Sequence, residues 1–432
     1  MKTNLRCIKY KILEYTQSSS LWFKLGCVCI AAPFLASCMG TDLPVAVPQC
    51  DPTIYSELVR GNTQFASNLY QQLSPVANAS GFVYSPYSIS NALAMSFAGA
   101  GSETARQMAQ VLGFNLDPQT LPRAFALLNY QLLADGQANG NQLNISNALF
   151  VQNGFSLESD FTATLQNDYA SPVQQVDFQN NSSEAINTIN SWISDRTQGL
   201  IPQLVDHQSI TPSTVFALVN AIYFKGNWSS PFDTGRTSPA TFYIDSSSSI
   251  QTPMMNQDEV FPAMQTDAFT LVELPYSGDK MAMDVFLPNQ IDGLPSLTNS
   301  LSESSYANWI SQLIPYYVFL SFPKFKTTSN FKLLRPLQDL GMQLPFTPGA
   351  DFSGIDGSHD LSISNIIQQA TITVDETGTV AAAATVEVGT AGMSAPPNPI
   401  VINVNHPFLF VIRDLSTNSI LFMGQINEPA VP

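Results

Sequence analysis

Residues 375–394 read DETGTVAAAATVEVGTAGMS, a stretch that no single conformation suits. Four consecutive alanines, Ala381 to Ala384, favour a helix. A helix this short is marginal by itself in water, and Thr379, Val380, Thr385, Val386 and Val388 pull towards extended chain. The run before it, residues 361–374, is rich in Ile, Thr and Val and reads as a strand. After it, Pro396, Pro397 and Pro399 break the chain ahead of a further β-forming run at residues 400–404. The pattern fits a segment with two states. As an exposed loop it is soluble because its side chains are small. As a strand, its alternate small residues slide into a sheet without overpacking.

The run from Glu376 through Gly378 and Ala381 to Thr385 resembles the hinge of a serpin reactive loop. Other stretches carry the same likeness. VYSPYSISNALAMSFAGAG (residues 83–101), followed by Glu103 and Thr104, places Pro86 for a first helical turn. Small residues along it permit close burial under a sheet, and it resembles the serpin SPxSIxxALAM…GAxGxT segment. VFALVNAIYFKGNWSSPF (residues 215–232) is near-continuously apolar, as suits a central strand covered on both faces. It resembles the family's LVNAIYFKGxWxxPF almost letter for letter. TQGLI at residues 197–201, LVELPY at 271–276, MAMDVFLP at 281–288 and HPFLFVIRDLSTNSILFMGQINEP at 406–429 add to the match. The resemblance implies an α+β fold with three β-sheets, eight or nine helices and an exposed reactive-centre loop at about residues 377–398. It covers about residues 53–430 as one domain, with no repeat or internal linker.

The start of the chain has a different character. Lys2, Arg6, Lys9, Lys11 and Lys24 precede an apolar run that ends in Leu35-Ala36-Ser37-Cys38. A basic region, a short apolar segment and small residues at the cut make an export signal; the run is too short to span a bilayer as a permanent helix. Leu-Ala-Ser-Cys resembles the bacterial lipobox, which implies a signal peptide over residues 1–37 and a lipid on Cys38. Residues 38–52, with Pro44, Pro48 and Pro52, then form an extended tether. A lipid-anchored protein of the periplasm or cell surface is expected, and a start codon downstream of Met1 would give the basic region a more usual length.

The five cysteines are Cys7, Cys27, Cys29, Cys38 and Cys50, so no disulfide framework or cysteine metal site lies in the body of the chain. Removing residues 1–37 takes away those five basic residues and Glu14, which moves the net charge from −16 to −20. Nucleic acid and heparin-type polyanions are poor partners for that balance. His207, His359 and His406 have no metal-ligand spacing, and no HExxH, GxSxG or phosphate-loop pattern occurs. An inhibitor rather than an enzyme, monomeric and without metal or cofactor, is the expectation.

What the serpin resemblance implies is suicide inhibition. A protease cleaves the loop, and the freed hinge inserts as a new strand that drags the acyl-enzyme away and distorts it. Small uncharged residues are required at the inward positions Thr379, Ala381, Ala383 and Thr385, with Gly378 as pivot and Glu376 before it. Glu387 shares the inward parity and departs from the usual apolar choice; it slows or shortens insertion unless the strand bulges there or the carboxylate reaches solvent. Counting on from Gly378 gives Gly392–Met393 as the cleaved bond, and a loop one residue longer gives Met393–Ser394. Either suits elastase-, subtilisin- or chymotrypsin-like proteases, with papain-like cysteine proteases as a further class. A trypsin-like pocket has no Lys or Arg to take between Arg335 and Arg413. Ser85, Ser88 and Asn220 match the polar cluster where the strands part, Gln368 replaces that cluster's usual histidine, and Trp228 matches the tryptophan where the hinge enters. The other reading is a non-inhibitory serpin that serves as a surface binding or storage module and is cleaved as a plain substrate.

Overall fold

The computed structural model describes residues 53–363, 365–379 and 399–431. The expected signal and tether (residues 1–52), Ala381, Ala383, Thr385, Glu387 and the Gly392, Met393 and Ser394 positions lie outside the described residues.

Helix α1 (Thr53–Leu73) buries Leu58, Phe65, Leu69 and Leu73, the stripe expected from their spacing. Strand β1 (Gly81–Tyr84) leads to α2 (Pro86–Phe97), where the Ser85 side chain accepts the Ser88 N–H and Pro86 occupies the first turn. Every residue of α2 except Ala92 is buried. It packs against β4 (Phe216–Asn227) on one side and β15 (Ile420–Ile426) on the other. Small side chains on several of its turns make that central position possible.

Between these come α3 (Ser102–Leu112), α4 (Leu121–Gly136), β2 (Gln142–Gln152), α5 (Ser159–Asn167), β3 (Val173–Val176) and α6 (Ser182–Arg196). Helix α6 lays Ile186, Ile189 and Ile193 over Phe150, Val219 and Ala221 in a small second core. With α2 beneath and α6 above, β4 is covered on both faces, as its apolar run requires.

The next segment supplies β5 (Ser238–Tyr243), β6 (Ser249–Gln265), β7 (Phe269–Pro275) and β8 (Met281–Pro288). Then follow α7 (Leu294–Asn299), α8 (Glu303–Ser311), β9 (Ile314–Pro323), β10 (Phe325–Lys332), α9 (Leu334–Asp339) and α10 (Ser353–Asp356). The chain closes with β11 (Ile367–Val374), β12 (Gly378–Thr379), β13 (Ile400–Asn403), β14 (Phe408–Asp414) and β15. Strand β6 is the longest of the described strands, at 17 residues. Pro253 and Pro262 mask its length, yet they pair opposite Pro239 and Pro315 without breaking it. Residues 361–363, 365 and 366 are not strand. Their backbone is engaged elsewhere: Pro345 O accepts Ile363 N–H, and Ile366 O accepts Leu333 N–H.

A six-stranded sheet runs β10-β11-β12-β4-β2-β3, and nine strands join in the order β1-β15-β14-β8-β7-β6-β9-β13 with β5 on β6. Strand β6 belongs to two layers, because it pairs with β5 and β9 along most of its length and with β7 only at Ala263–Gln265. The result is the α+β architecture of three sheets, with ten α-helices among the described residues, three of them six residues or shorter.

Candidate functional site

Strands β4 and β11 lie on either side of a slot. Among the described residues they share no paired rung, and β12 alone stands between them. Thr379 faces Val374 of β11 and Gly226 of β4, while Gly378 faces Asn227. Two residues of the hinge are thus already seated at one end of the slot, antiparallel to both neighbours.

The turn that brings them there is Asp375–Gly378. Asp375 N–H donates to Gly378 O at 3.0 Å, and the Asp375 carboxylate accepts the Thr377 N–H and hydroxyl, each at 2.8 Å. Gly378 is dictated by proximity: a Cβ there would run into the Gly226 carbonyl and Asn227 Cα. Gly226 is equally constrained, since its own Cβ would meet the rings of Phe224 and Tyr276. Trp228 stacks on Tyr276 with ring centroids 4.7 Å apart, and its indole N–H donates to Asp375 O at 2.9 Å. Trp228 N–H donates to Thr377 O and Phe232 N–H to Glu376 O, both at 2.9 Å. The Tyr276 and Thr379 hydroxyls are 2.6 Å apart in full burial, and burial pushes the Tyr276 phenol well above the usual tyrosine range.

Glu376 is buried and paired with Lys324 at 2.8 Å, and it accepts the Thr237 hydroxyl at 2.8 Å. Burial acts to raise its pKa, but the Lys324 ammonium, its own backbone and Thr237 outweigh that and hold the carboxyl below the ordinary glutamate range. Lys324, Thr237, Tyr276 and Asp375 are site residues that sequence reasoning did not single out. FPKF around Lys324 gives no cue that its ammonium meets a glutamate fifty-two positions further on.

Halfway down the slot the polar cluster ties each wall to the first turn of α2. On the β11 side, Gln368 accepts Ser85 N–H at 3.1 Å and donates to Ser85 O at 2.8 Å. The amide thereby satisfies both backbone groups of Ser85. On the β4 side, the Ser88 hydroxyl donates to the Asn220 carbonyl oxygen, and Asn220 donates to Asn147 of β2 at 2.5 Å. Below this cluster a cavity of about 110 Å³ separates the strands, lined by Ala92, Leu218 and Ile366 and, on its other wall, Leu204 and Ile210. The five residues expected in the sheet-opening region, Ser85, Ser88, Asn220, Trp228 and Gln368, thus lie along the slot, as do Glu376, Gly378 and Thr379.

The family model for serpins, described as serine protease inhibitors, matches residues 60–429.

The chain is a serpin.

Iripin-8 of Ixodes ricinus is 34% identical over 377 residues, covering 86% of this serpin and 93% of the relative. The leukocyte elastase inhibitor of Homo sapiens is 34% identical over 382 residues, covering 86% and 100% respectively. An uncharacterized serpin-like protein of Thermococcus kodakarensis is 35% identical over 377 residues, covering 86% of each chain. Among solved structures, cleaved Serpin 42Da superposes with a TM-score of 0.78 at 31% identity, covering 87% of this serpin and 100% of that chain. The family is one of protease inhibitors rather than enzymes, and its partners are proteases.

Proposed function

We propose that this serpin is a suicide-type inhibitor of serine proteases with elastase-, subtilisin- or chymotrypsin-like pockets. The observation that carries the reading is the unpaired slot between β4 and β11 with hinge residues 378–379 at its mouth. Continuing that register sets Ala381 between Ile372 and Phe224, Ala383 between Ala370 and Ile222, and Thr385 between Gln368 and Asn220. Gln368, Ala370, Ile372 and Val374 are the buried, inward-facing half of β11, so small uncharged partners are what the slot accepts. If about 12 residues gain ladder hydrogen bonds at ~1 kcal/mol net each, insertion releases on the order of 10 kcal/mol. That matches a whole domain's stability and is enough to carry an acyl-enzyme across the molecule.

Cleavage at Gly392–Met393 or Met393–Ser394 fits the absence of Lys and Arg from the segment. The elastase-inhibitor name of a relative supports the same pocket class. The N-terminal pattern supports export and a lipid on Cys38 as the membrane anchor; no helix among the described residues is long and apolar enough to cross a membrane.

The test is incubation of the mature protein with pancreatic elastase, subtilisin and chymotrypsin. A denaturant-resistant adduct, a cleaved form of raised melting temperature, and a cut located by mass spectrometry at residues 392–394 are expected. Cleavage with neither adduct nor thermal gain would sink the inhibitory reading and leave the binding or storage module.

A further inference from the structure

The chain carries Asn-Gly at two places, Asn139-Gly140 and Asn153-Gly154, one at each end of β2. All four residues are exposed. Asn-Gly is the pair in which an asparagine most readily modifies itself, because glycine has no Cβ to hinder its own main-chain nitrogen. The Gly140 nitrogen attacks Cγ of Asn139, ammonia leaves with the nitrogen's proton, and a succinimide ring remains. Water then opens the ring at either carbonyl. One product is aspartate. The other is isoaspartate, in which the main chain runs through the former side chain.

The first pair is poised for this reaction. Asn139 lies in the left-handed region (φ 51°, ψ 39°) of a short turn, Ala138–Gly140, a conformation that asparagine adopts more readily than most residues. Its side-chain amide has no hydrogen-bond partner among the described residues. A Cβ at Gly140 would meet nothing within 4 Å, so the ring has room to form. Only one exposed turn must open for the nitrogen to reach Cγ, and such turns open at little free-energy cost.

The residue after this turn gives the reaction a consequence. Asn141 is buried, donates to Ser277 O at 2.7 Å and accepts the Asn227 N–H at 3.2 Å. Asn227 O accepts the Ser277 N–H at 2.7 Å, and Asn227 faces Gly378 in the pairing of β4 with β12. One buried amide thus ties the end of β4 to the 277 turn at the mouth of the slot. The Asn141 N–H donates to Ala138 O at 3.1 Å, which sets its place. Isoaspartate at 139 lengthens the main chain between Ala138 and Asn141 by one C–C bond, about 1.5 Å. Bonds of 2.7 and 3.2 Å do not survive a shift of that size. We propose that Asn139-Gly140 is a self-modification site whose conversion to isoaspartate withdraws Asn141 and loosens the mouth of the slot. The protein then ages from the end where its hinge is seated. Asn153-Gly154 serves as an internal control, because the 11 residues of β2 hold it roughly 35 Å away.

The experiment ages the mature protein for days in warm, mildly alkaline buffer. Charge variants are separated by anion exchange, isoaspartate is located by peptide mapping, and each species is melted. Isoaspartate at both pairs is expected. The species converted at 139 should melt at least ~2 °C lower than fresh protein, and the species converted at 153 alone should melt with it. Asn139→Gln, which would need a larger ring, should stay unmodified there and hold its melting temperature through the incubation. Asn141→Ala should start low and fall no further when 139 converts, because the bonds at stake are already gone. Absence of isoaspartate at 139, or equal melting temperatures in the 139 and 153 species, would overturn the proposal. So would freshly made Asn139→Asp that melts as low as the isoaspartate form, since added charge rather than a longer main chain would then be the cause.

Discussion

Replacing Ala383 with Asp tests the slot most directly. In the register set by Thr379, residue 383 falls between Ala370 and Ile222, which are 3% and 8% exposed. A carboxyl buried there raises its pKa by roughly 3–4 units rather than stay ionised, which costs about 4–5 kcal/mol near neutral pH at 1.36 kcal/mol per unit. Against an insertion energy on the order of 10 kcal/mol the final state remains downhill, but the passage slows. If half the cost is felt at the rate-limiting rung, ~2 kcal/mol corresponds to a ~30-fold slower insertion. Hydrolysis of the acyl-enzyme then wins more often. The assay titrates elastase with inhibitor to obtain the moles of serpin consumed per mole of enzyme trapped. Ala383→Asp should raise that ratio more than ~10-fold and reduce the thermal gain of the cleaved form. Ala382→Asp, whose register partner on β11 is the half-buried Thr371, should change both far less. An unaltered ratio in Ala383→Asp, with wild-type thermal gain, would refute the inward register and with it the slot as the site of insertion.

Other outcomes follow from neighbouring groups. In an inserted strand that kept the register of residues 378–379, Glu387 would be set against Leu218 and Ile366, which line the cavity, so Glu387→Ala should lower the consumption ratio and raise the melting temperature of the cleaved form. Lys324→Ala leaves the buried Glu376 carboxylate without its cation. It should destabilise the uncleaved protein by about 1–3 kcal/mol, read as a lower urea midpoint. Glu376 has a depressed folded pKa, so its contribution is present above about pH 4.3, the ordinary glutamate value, and is lost as the pH falls through the lower folded value. Glu273 behaves oppositely. Burial, then the like charge of Asp284, push it up to about 7 against the pull of Arg413. The folded state therefore keeps that proton longer than the unfolded chain does, and stability should decline as the pH rises from about 4.5 to 7. Asp414, pushed up to about 6 by burial and then by Asp135, adds in the same direction. Melting temperatures across pH 5–8 should show this decline, and Asp284→Asn should flatten it.

Much of the fold was legible because this chain states its packing locally. The β4 run is apolar on both faces and could only be a central strand, and Pro86 with Ser85 marks the start of a buried helix. Helices α3 and α4 were not foreseen, although Thr104, Met108, Val111 and Leu112 in the first and Leu121, Phe125, Leu128 and Leu132 in the second recur at helical spacing and are buried. The 361–366 run has strand-forming residues, but tertiary partners at Pro345 and Leu333 took its hydrogen bonds. In the site, composition singled out Gly378 and Thr379, and the structure places both between β4 and β11. The pairing of Lys324 with Glu376 and the stack of Tyr276 on Trp228 join distant parts of the chain, and no local pattern encodes such meetings. Gln368 shows the reverse case: its position was legible, while its two bonds to the Ser85 backbone became apparent only in three dimensions.

Gly226 and Gly378 cross where any added carbon strikes main chain or an aromatic ring. A methyl group at either place would act like a coin in a lock: the key still exists and the barrel still turns, but nothing passes the opening. Loss of protection in such a variant would arise far from the bond that is cut. The clash is present before any cleavage, so such a variant would weaken the uncleaved fold at the mouth of the slot as well as bar the strand that follows.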